Sequence, residues 1–90
     1  MSAVRDNRER SRFELEEGGA VTFANYRRDG GTLVIRYVEA PPVLRGTGAA
    51  GRLMQGVMEI ARDEGAKVVP LCGYAAAWIR RHKDWHALLA

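Results

Sequence analysis

Arg45, Gly48 and Ala50 stand at the spacing Arg-x-x-Gly-x-Ala within LRGTGAAGRLM, Leu44 to Met54. This stretch reads as a tight glycine-bearing turn that becomes a helix. A helix start carries unpaired backbone N–H groups and the positive end of the macrodipole. Small residues there let a phosphate approach the backbone, and Gly46 and Gly48 permit positive φ. Ala49, Ala50 and Gly51 keep the approach open. The chemistry this points to is anion binding, with a pyrophosphate as the best fit. A glycine-rich loop that merely enters a helix leaves the same letters, and spacing alone does not separate the two.

The elements around this turn fall into a simple order. Residues 1–11 are polar and charged and read as a flexible tail, or a lead-in to the first strand. RFELEE, Arg12 to Glu17, alternates as a half-buried strand, with Phe13 and Leu15 on one side and Arg12, Glu14 and Glu16 on the other. Gly18 and Gly19 make a turn into AVTFANYRR, Ala20 to Arg28, where Thr22, Ala24 and Tyr26 share a face. Asp29-Gly30-Gly31 is a hairpin turn into TLVIRYVEA, Thr32 to Ala40. Together these predict an antiparallel meander. Pro41 and Pro42 end its last strand, because neither has an N–H to donate.

From about Thr47 to Glu64 the pattern is helical, with Ala50, Leu53, Met54, Val57, Ile60 and Ala61 on one face and Gly65 as the stop. Gly51 and Gly56 each cost about 1 kcal/mol of helix propensity relative to Ala. Close packing against a sheet or ligand would explain them. KVVPLC, Lys67 to Cys72, predicts a strand with Pro70 at an edge or a splay, and strand–helix–strand implies a parallel crossover. YAAAWIRR, Tyr74 to Arg81, is a second helix, and Trp85, Leu88 and Leu89 are expected to dock on the core.

Composition bounds the function. Ninety residues, 47% hydrophobic and 28% charged, describe one small globular domain, residues 12–90 after the tail. No apolar run approaches the roughly 20 residues of a membrane helix, and the amino terminus lacks the apolar core of a secretory signal. The single cysteine, Cys72, cannot form an internal disulfide and fits a reducing cytoplasm. The net charge of +3 suits an anionic cofactor or an acidic partner. The basic residues are scattered, without the aromatic-interleaved stripe of a single-strand nucleic-acid surface. No histidines or carboxylates stand at metal-ligand spacing, so no metal is expected.

The order of meander, phosphate-type turn, helix, strand and final helix resembles the GNAT acetyltransferase superfamily, whose signature Gln/Arg-x-x-Gly-x-Gly/Ala is matched by Arg45, Gly48 and Ala50. More narrowly, the chain is similar to the minimal GNAT-like N-acetyltransferase domains of about this length. The segments that carry this are EAPPVLRGTG (Glu39 to Gly48), KVVPLC and YAAAWIRRH (Tyr74 to His82), and the likeness runs from about Phe13 to Leu89. Three features depart from the narrower pattern. Tyr37 stands where a central-strand histidine is common, Gly73 follows the cysteine in place of proline, and the ending reads His82-Lys83-Asp84-Trp85.

The resemblance implies a mixed α+β sheet and acetyl-CoA as cofactor. Backbone N–H groups from Arg45, Gly46, Thr47, Gly48, Ala49 and Ala50 would hold the pyrophosphate, and pantetheine would lie between the Thr32–Ala40 and Lys67–Cys72 strands. The N–H of Val38 or Glu39 would polarise the thioester carbonyl. Glu39 is a candidate general base and Tyr74 a candidate proton donor to the leaving thiolate. Either residue also has a plain structural reading, as a strand-end charge and a packed aromatic. Cys72 would line the thioester site or act as a nucleophile. His82 reads as a helix-end cation or a pocket residue. The implied activity is transfer of an acetyl group to an amine, either a protein lysine or N-terminus or a small amine. The alternative is a CoA-binding sensor or interaction module with little turnover. An exposed strand of the meander leaves monomer and homodimer both open.

Overall fold

The computed structural model describes residues 3–90. Five strands form one sheet in sequence order: β1 (Arg5–Asn7), β2 (Arg12–Glu17), β3 (Ala20–Asp29), β4 (Thr32–Glu39) and β5 (Lys67–Pro70). The first four are antiparallel, and β5 joins β4 in parallel through the helix α1 (Ala49–Glu64). A second helix, α2 (Gly73–Arg81), and a 3-10 segment (Lys83–Leu88) complete the chain. The mixed α+β architecture expected from the sequence is the one observed.

Burial explains the layering. Phe13, Thr22, Ala24, Leu33 and Ile35 are buried in the sheet, and Leu53, Met54, Val57, Met58 and Ala61 form the buried stripe of α1. The i, i+3, i+4 spacing of that stripe is what an amphipathic helix needs to seat on a sheet. Met58 belongs to it, whereas Ala50 and Ile60, expected on the core face, lie at its margins and are only half-buried. Gly56 is buried as well. α1 packs across β2, β3 and β4, and α2 packs on β4, β5 and α1.

The expected tail is ordered structure from Arg5 onward. Arg5–Asn7 pairs with Arg12–Glu14, and a 3-10 turn at Arg8–Arg10 returns the chain. Arg-Asp-Asn has poor strand propensity, so composition argued against a strand here. Cross-strand charge pairing overrides it. Asp6 accepts from the hydroxyl of Tyr26 at 2.6 Å and from Arg28 at 2.7 Å. The part of the tail reading that concerns residues 1 and 2 lies outside the described residues.

β1 also buries Glu14, which alternation had placed on an open face; it is 7% exposed. Its carboxylate accepts from Arg12 at 2.6 Å, Arg5 at 3.0 Å and Asn7 at 3.1 Å. The Arg12 hydrogen bond holds the Glu14 carboxyl below its ordinary value, against the opposing effect of burial. Glu17, bonded to Arg52, is lowered in the same way. A lowered folded-state pKa contributes stability above the ordinary carboxylate value of 4.5 that is lost as pH falls through the folded value. The thermal midpoint is therefore expected to hold from neutral pH down to that region and to fall below it. Glu14→Gln should blunt the fall, measured by circular dichroism melts across the acid range.

Among the described residues two buried side-chain atoms have no hydrogen-bond partner, the Thr22 hydroxyl and Arg28 Nε. Thr22 is fully buried, and its hydroxyl makes no hydrogen bond. An unsatisfied buried hydroxyl costs about 1 kcal/mol or more. Thr22→Val keeps the shape and removes that cost, so the melting temperature should rise by about 4–8 °C per kcal/mol gained. A lowered midpoint would mean that the hydroxyl has a partner.

At the far edge, β5 ends at Pro70, two residues before the end predicted from sequence. The N–H groups of Leu71 and Cys72 converge on the carbonyl of Ile35 at 2.9 and 3.2 Å, which turns the chain out of the sheet and into α2. Trp85 and Leu88 dock on the core as expected. Leu89 does not: it is 37% exposed, because its backbone bridges alongside Val68 and turns the side chain outward.

Candidate functional site

The turn into α1 is built by prolines and closed by its own backbone. Pro41 and Pro42 end β4 and start a 3-10 turn, Pro42–Leu44. The N–H of Arg45 donates to Pro42, and that of Thr47 donates to Leu44. The hydroxyl of Thr47 also donates to Leu44, at 2.6 Å. Two of the six amides expected to face an anion, those of Arg45 and Thr47, are therefore already used inside the turn. Among the described residues the N–H groups of Gly46, Gly48, Ala49, Ala50 and Gly51 have no partner. Gly48 is the N-cap of α1 at φ 86°, a conformation that costs any residue with a Cβ. No side chain caps this end of the helix.

Arg52 fixes the turn from below. Its guanidinium donates to the carbonyl of Thr47 at 2.8 Å and to both carboxylate oxygens of Glu17 at 2.9 and 3.0 Å. The loop is thus stitched to the end of β2. Above the helix start lies an open concavity of about 260 Å3, bordered by Ala40, Arg45, Gly46, Gly48, Ala50 and Tyr74. A Cβ at Gly51 would lie 3.4 Å from Trp78 Nε1 and 3.7 Å from the Tyr74 hydroxyl. Those are ordinary contact distances, so α2 brings Trp78 and Tyr74 against the face of α1 that carries Gly51. Burial pushes the Tyr74 phenol up, Arg81 opposes this, and Cys72 adds to it.

β4 and β5 part beside this concavity. Their pairing stops at Ile35 and Pro70, and β4 continues to Glu39 without a β5 neighbour. A β-bulge sits at the same place: Tyr26 pairs with Ile35 and Asn25 with Tyr37, leaving Arg36 as an extra residue. The extra residue resets the alternation. Leu33 and Ile35 belong to the core, and after the bulge it is Val38 that packs against it, while Tyr37 is 48% exposed.

Tyr37 and Glu39 then share a face, and the Tyr37 hydroxyl donates to the Glu39 carboxylate. That hydrogen bond is the main reason the Tyr37 phenol is raised, with Cys72 adding to the rise and Arg45 opposing it. Cys72 is half-buried against the core, serves as the N-cap residue of α2, and acts electrostatically on both tyrosines. Among the described residues no hydrogen bond or ion pair supplies its thiol with a base.

The structure therefore gathers Glu39, Arg45, Cys72 and Tyr74 around the parted strands and the helix start. Tyr37 was missed as a partner of Glu39, although the i, i+2 spacing on one strand was a usable signal. His82 is not part of this group. Its ring stacks on Trp78 at 3.8 Å, and Nδ1–H donates to the Trp78 carbonyl at 2.6 Å. A carbonyl can only accept, so this nitrogen carries the proton. His86 Nε2 likewise donates to Ile79, at 2.9 Å. Among the described residues no helix is long and apolar enough to cross a membrane.

Comparison with known proteins agrees with the fold. The sequence profile of the GCN5-related N-acetyl-transferase family matches residues 12–88. The solution structure of a GCN5-like protein from Staphylococcus aureus superposes on the whole of this chain and 91% of its own, with a TM-score of 0.74. At 22% sequence identity that likeness speaks for the fold alone. No curated protein sequence matches the chain significantly.

Proposed function

This chain belongs to the GCN5-related N-acetyl-transferase family, a family of acyltransferases, and on that premise we propose that it transfers an acetyl group from acetyl-CoA to an amine. The observation that carries the proposal is the set of five unpartnered N–H groups at Gly46, Gly48, Ala49, Ala50 and Gly51, on residues too small to obstruct a phosphate. Arg45 beside them adds a positive charge. These residues fit a pyrophosphate, since most side chains in their place would fill the cradle or cap the helix. The parted ends of β4 and β5 leave unpaired strand backbone where a pantetheine arm would lie. Acetyl-CoA, when bound, supplies the activated thioester.

The remaining roles belong to the chain's own groups. Val38 sits just past the bulge, and its N–H is the proposed donor to the thioester carbonyl oxygen. Glu39 takes the proton of the attacking amine on its carboxylate, and the Tyr37 hydroxyl holds that carboxylate in place. Tyr74, at the rim of the concavity, gives its proton to the departing thiolate. Cys72 forms part of the wall, since nothing beside it activates the thiol as a nucleophile. A lone cysteine without a disulfide partner also fits work in a reducing cytoplasm.

Release of free CoA from acetyl-CoA, followed over a panel of peptide and small-molecule amines, tests this reading. Amine-dependent release that survives Cys72→Ala within a few-fold is expected. Turnover lost in Cys72→Ala, with a trapped acetyl-cysteine in the wild type, would replace direct attack by an acyl-enzyme route.

A further inference from the structure

A basic cleft runs along the sheet from Tyr37 toward the amino-terminal strand. It consists of two adjoining concavities of about 510 and 420 Å3 that share Ser11, Tyr26 and Arg36. Arg8, Arg27 and Arg28 border the first, and Arg10, Asn25 and Tyr37 the second. Among the described residues no carboxylate lines either one. Arg8 and Arg28 are paired with Asp6 and Glu64. Arg10, Arg27 and Arg36 are exposed, and among the described residues none of the three has a carboxylate within 4 Å.

Two features of the backbone build this cleft rather than leaving the charges scattered. The bulge gives Arg36 and Tyr37 two successive exposed positions where regular alternation would have turned one inward. Ser11, which both concavities share, adopts left-handed φ 52°, ψ 51°, rare for a residue with a Cβ, and closes the turn that brings Arg8 and Arg10 to the rim. Three unneutralised guanidiniums in a groove concentrate positive potential and attract anions. Arginine suits carboxylates because its planar fork donates two parallel N–H bonds to their oxygens.

Because the cleft ends at Tyr37, the partner of Glu39, we infer that it is the acceptor side of the site, and that the acceptor is an acidic peptide presenting its amine at Glu39 while its carboxylates lie along Arg36, Arg27 and Arg10. This rests on the transferase reading above. A peptide is favoured over nucleic acid because no row of stacking aromatics accompanies the arginines.

The test is fluorescence anisotropy, without acetyl-CoA, of a six-residue peptide rich in Asp and Glu with a free amino terminus and a carboxyl-terminal dye. It is compared with the matching Asn/Gln peptide and a single-stranded RNA oligonucleotide. The acidic peptide should bind at least about tenfold more tightly than its amide counterpart, with an affinity that falls as salt rises. The double variant Arg27→Glu/Arg36→Glu should lose that difference while keeping its circular dichroism spectrum and its affinity for acetyl-CoA. Equal binding of the two peptides, an unaffected double variant, or tighter binding of RNA overturns the inference. If neutral and acidic peptides are acetylated alike, the transferase reading stands and the cleft proposal falls. If the acidic peptide binds but no amine is ever acetylated, the transferase reading fails, and with it the acceptor role of the cleft.

Discussion

Ala50→Glu is expected to lower the affinity for acetyl-CoA by about 100-fold or more while leaving the fold intact. Ala50 lies in the first turn of α1, borders the concavity and is half-buried. A carboxylate there stands against the proposed pyrophosphate position, and like charges brought together cost several kcal/mol. The same carboxylate at a helix start interacts favourably with the macrodipole, by about 0.3–1 kcal/mol. Stability and binding should therefore move in opposite directions, so loss of binding cannot be put down to unfolding. The more obvious change, Gly48→Glu, lacks that control. A Cβ at Gly48 would sit 3.2 Å from Arg52 Nη1 and would hold a left-handed conformation, so the variant should also lose stability. Calorimetric titration and thermal melts of both variants measure the two effects. Unchanged binding in Ala50→Glu would place the cofactor elsewhere.

Glu39→Gln should reduce kcat by about 10²–10⁴-fold with little effect on acetyl-CoA affinity, the signature of a lost general base. Glutamine keeps the size of the side chain and can still accept from the Tyr37 hydroxyl, but it cannot take a proton from the amine. Tyr37→Phe should cost much less, since it removes orientation and leaves the base. Steady-state kinetics with saturating amine separate the cases. An activity loss matched by a loss of cofactor binding would make Glu39 a structural residue of the β4 end. Full activity in Glu39→Gln would assign the amine's proton to water or to another group.

The fold was readable where local chemistry and packing agree. Alternation in Arg12–Glu17, the β-branched and aromatic run from Thr32 to Ala40, the Gly-Gly and Asp-Gly-Gly turns, and the periodicity of α1 each located an element within one or two residues. The tight turn into α1 was readable from Gly46 and Gly48, which both adopt positive φ, although the letters alone do not separate an anion site from a loop that merely enters a helix. Three features were not readable because they depend on neighbours distant in sequence. β1 forms because Asp6 meets Tyr26 and Arg28, which the string Arg-Asp-Asn does not announce. Glu14 is buried only because β1 covers it. The bulge at Arg36 has no glycine or proline to mark it, yet it decides that Val38 packs on the core and that Tyr37 and Glu39 share the outer face. The site residues named from family resemblance thus fell near one another, while the pairing that orients Glu39 and the arginine cleft beyond it required the register of β3 on β4.

The central claim is that the free amides at the start of α1 hold the cofactor's pyrophosphate. Titrating the 15N-labelled protein with acetyl-CoA and following every backbone amide by two-dimensional NMR tests this directly. Saturable shifts should be largest at Gly46, Gly48, Ala49, Ala50 and Gly51, and smaller at Arg45 and Thr47, whose N–H groups are already bonded within the turn. Spectra that stay unchanged at millimolar acetyl-CoA, or shifts confined to other parts of the chain, would contradict the account.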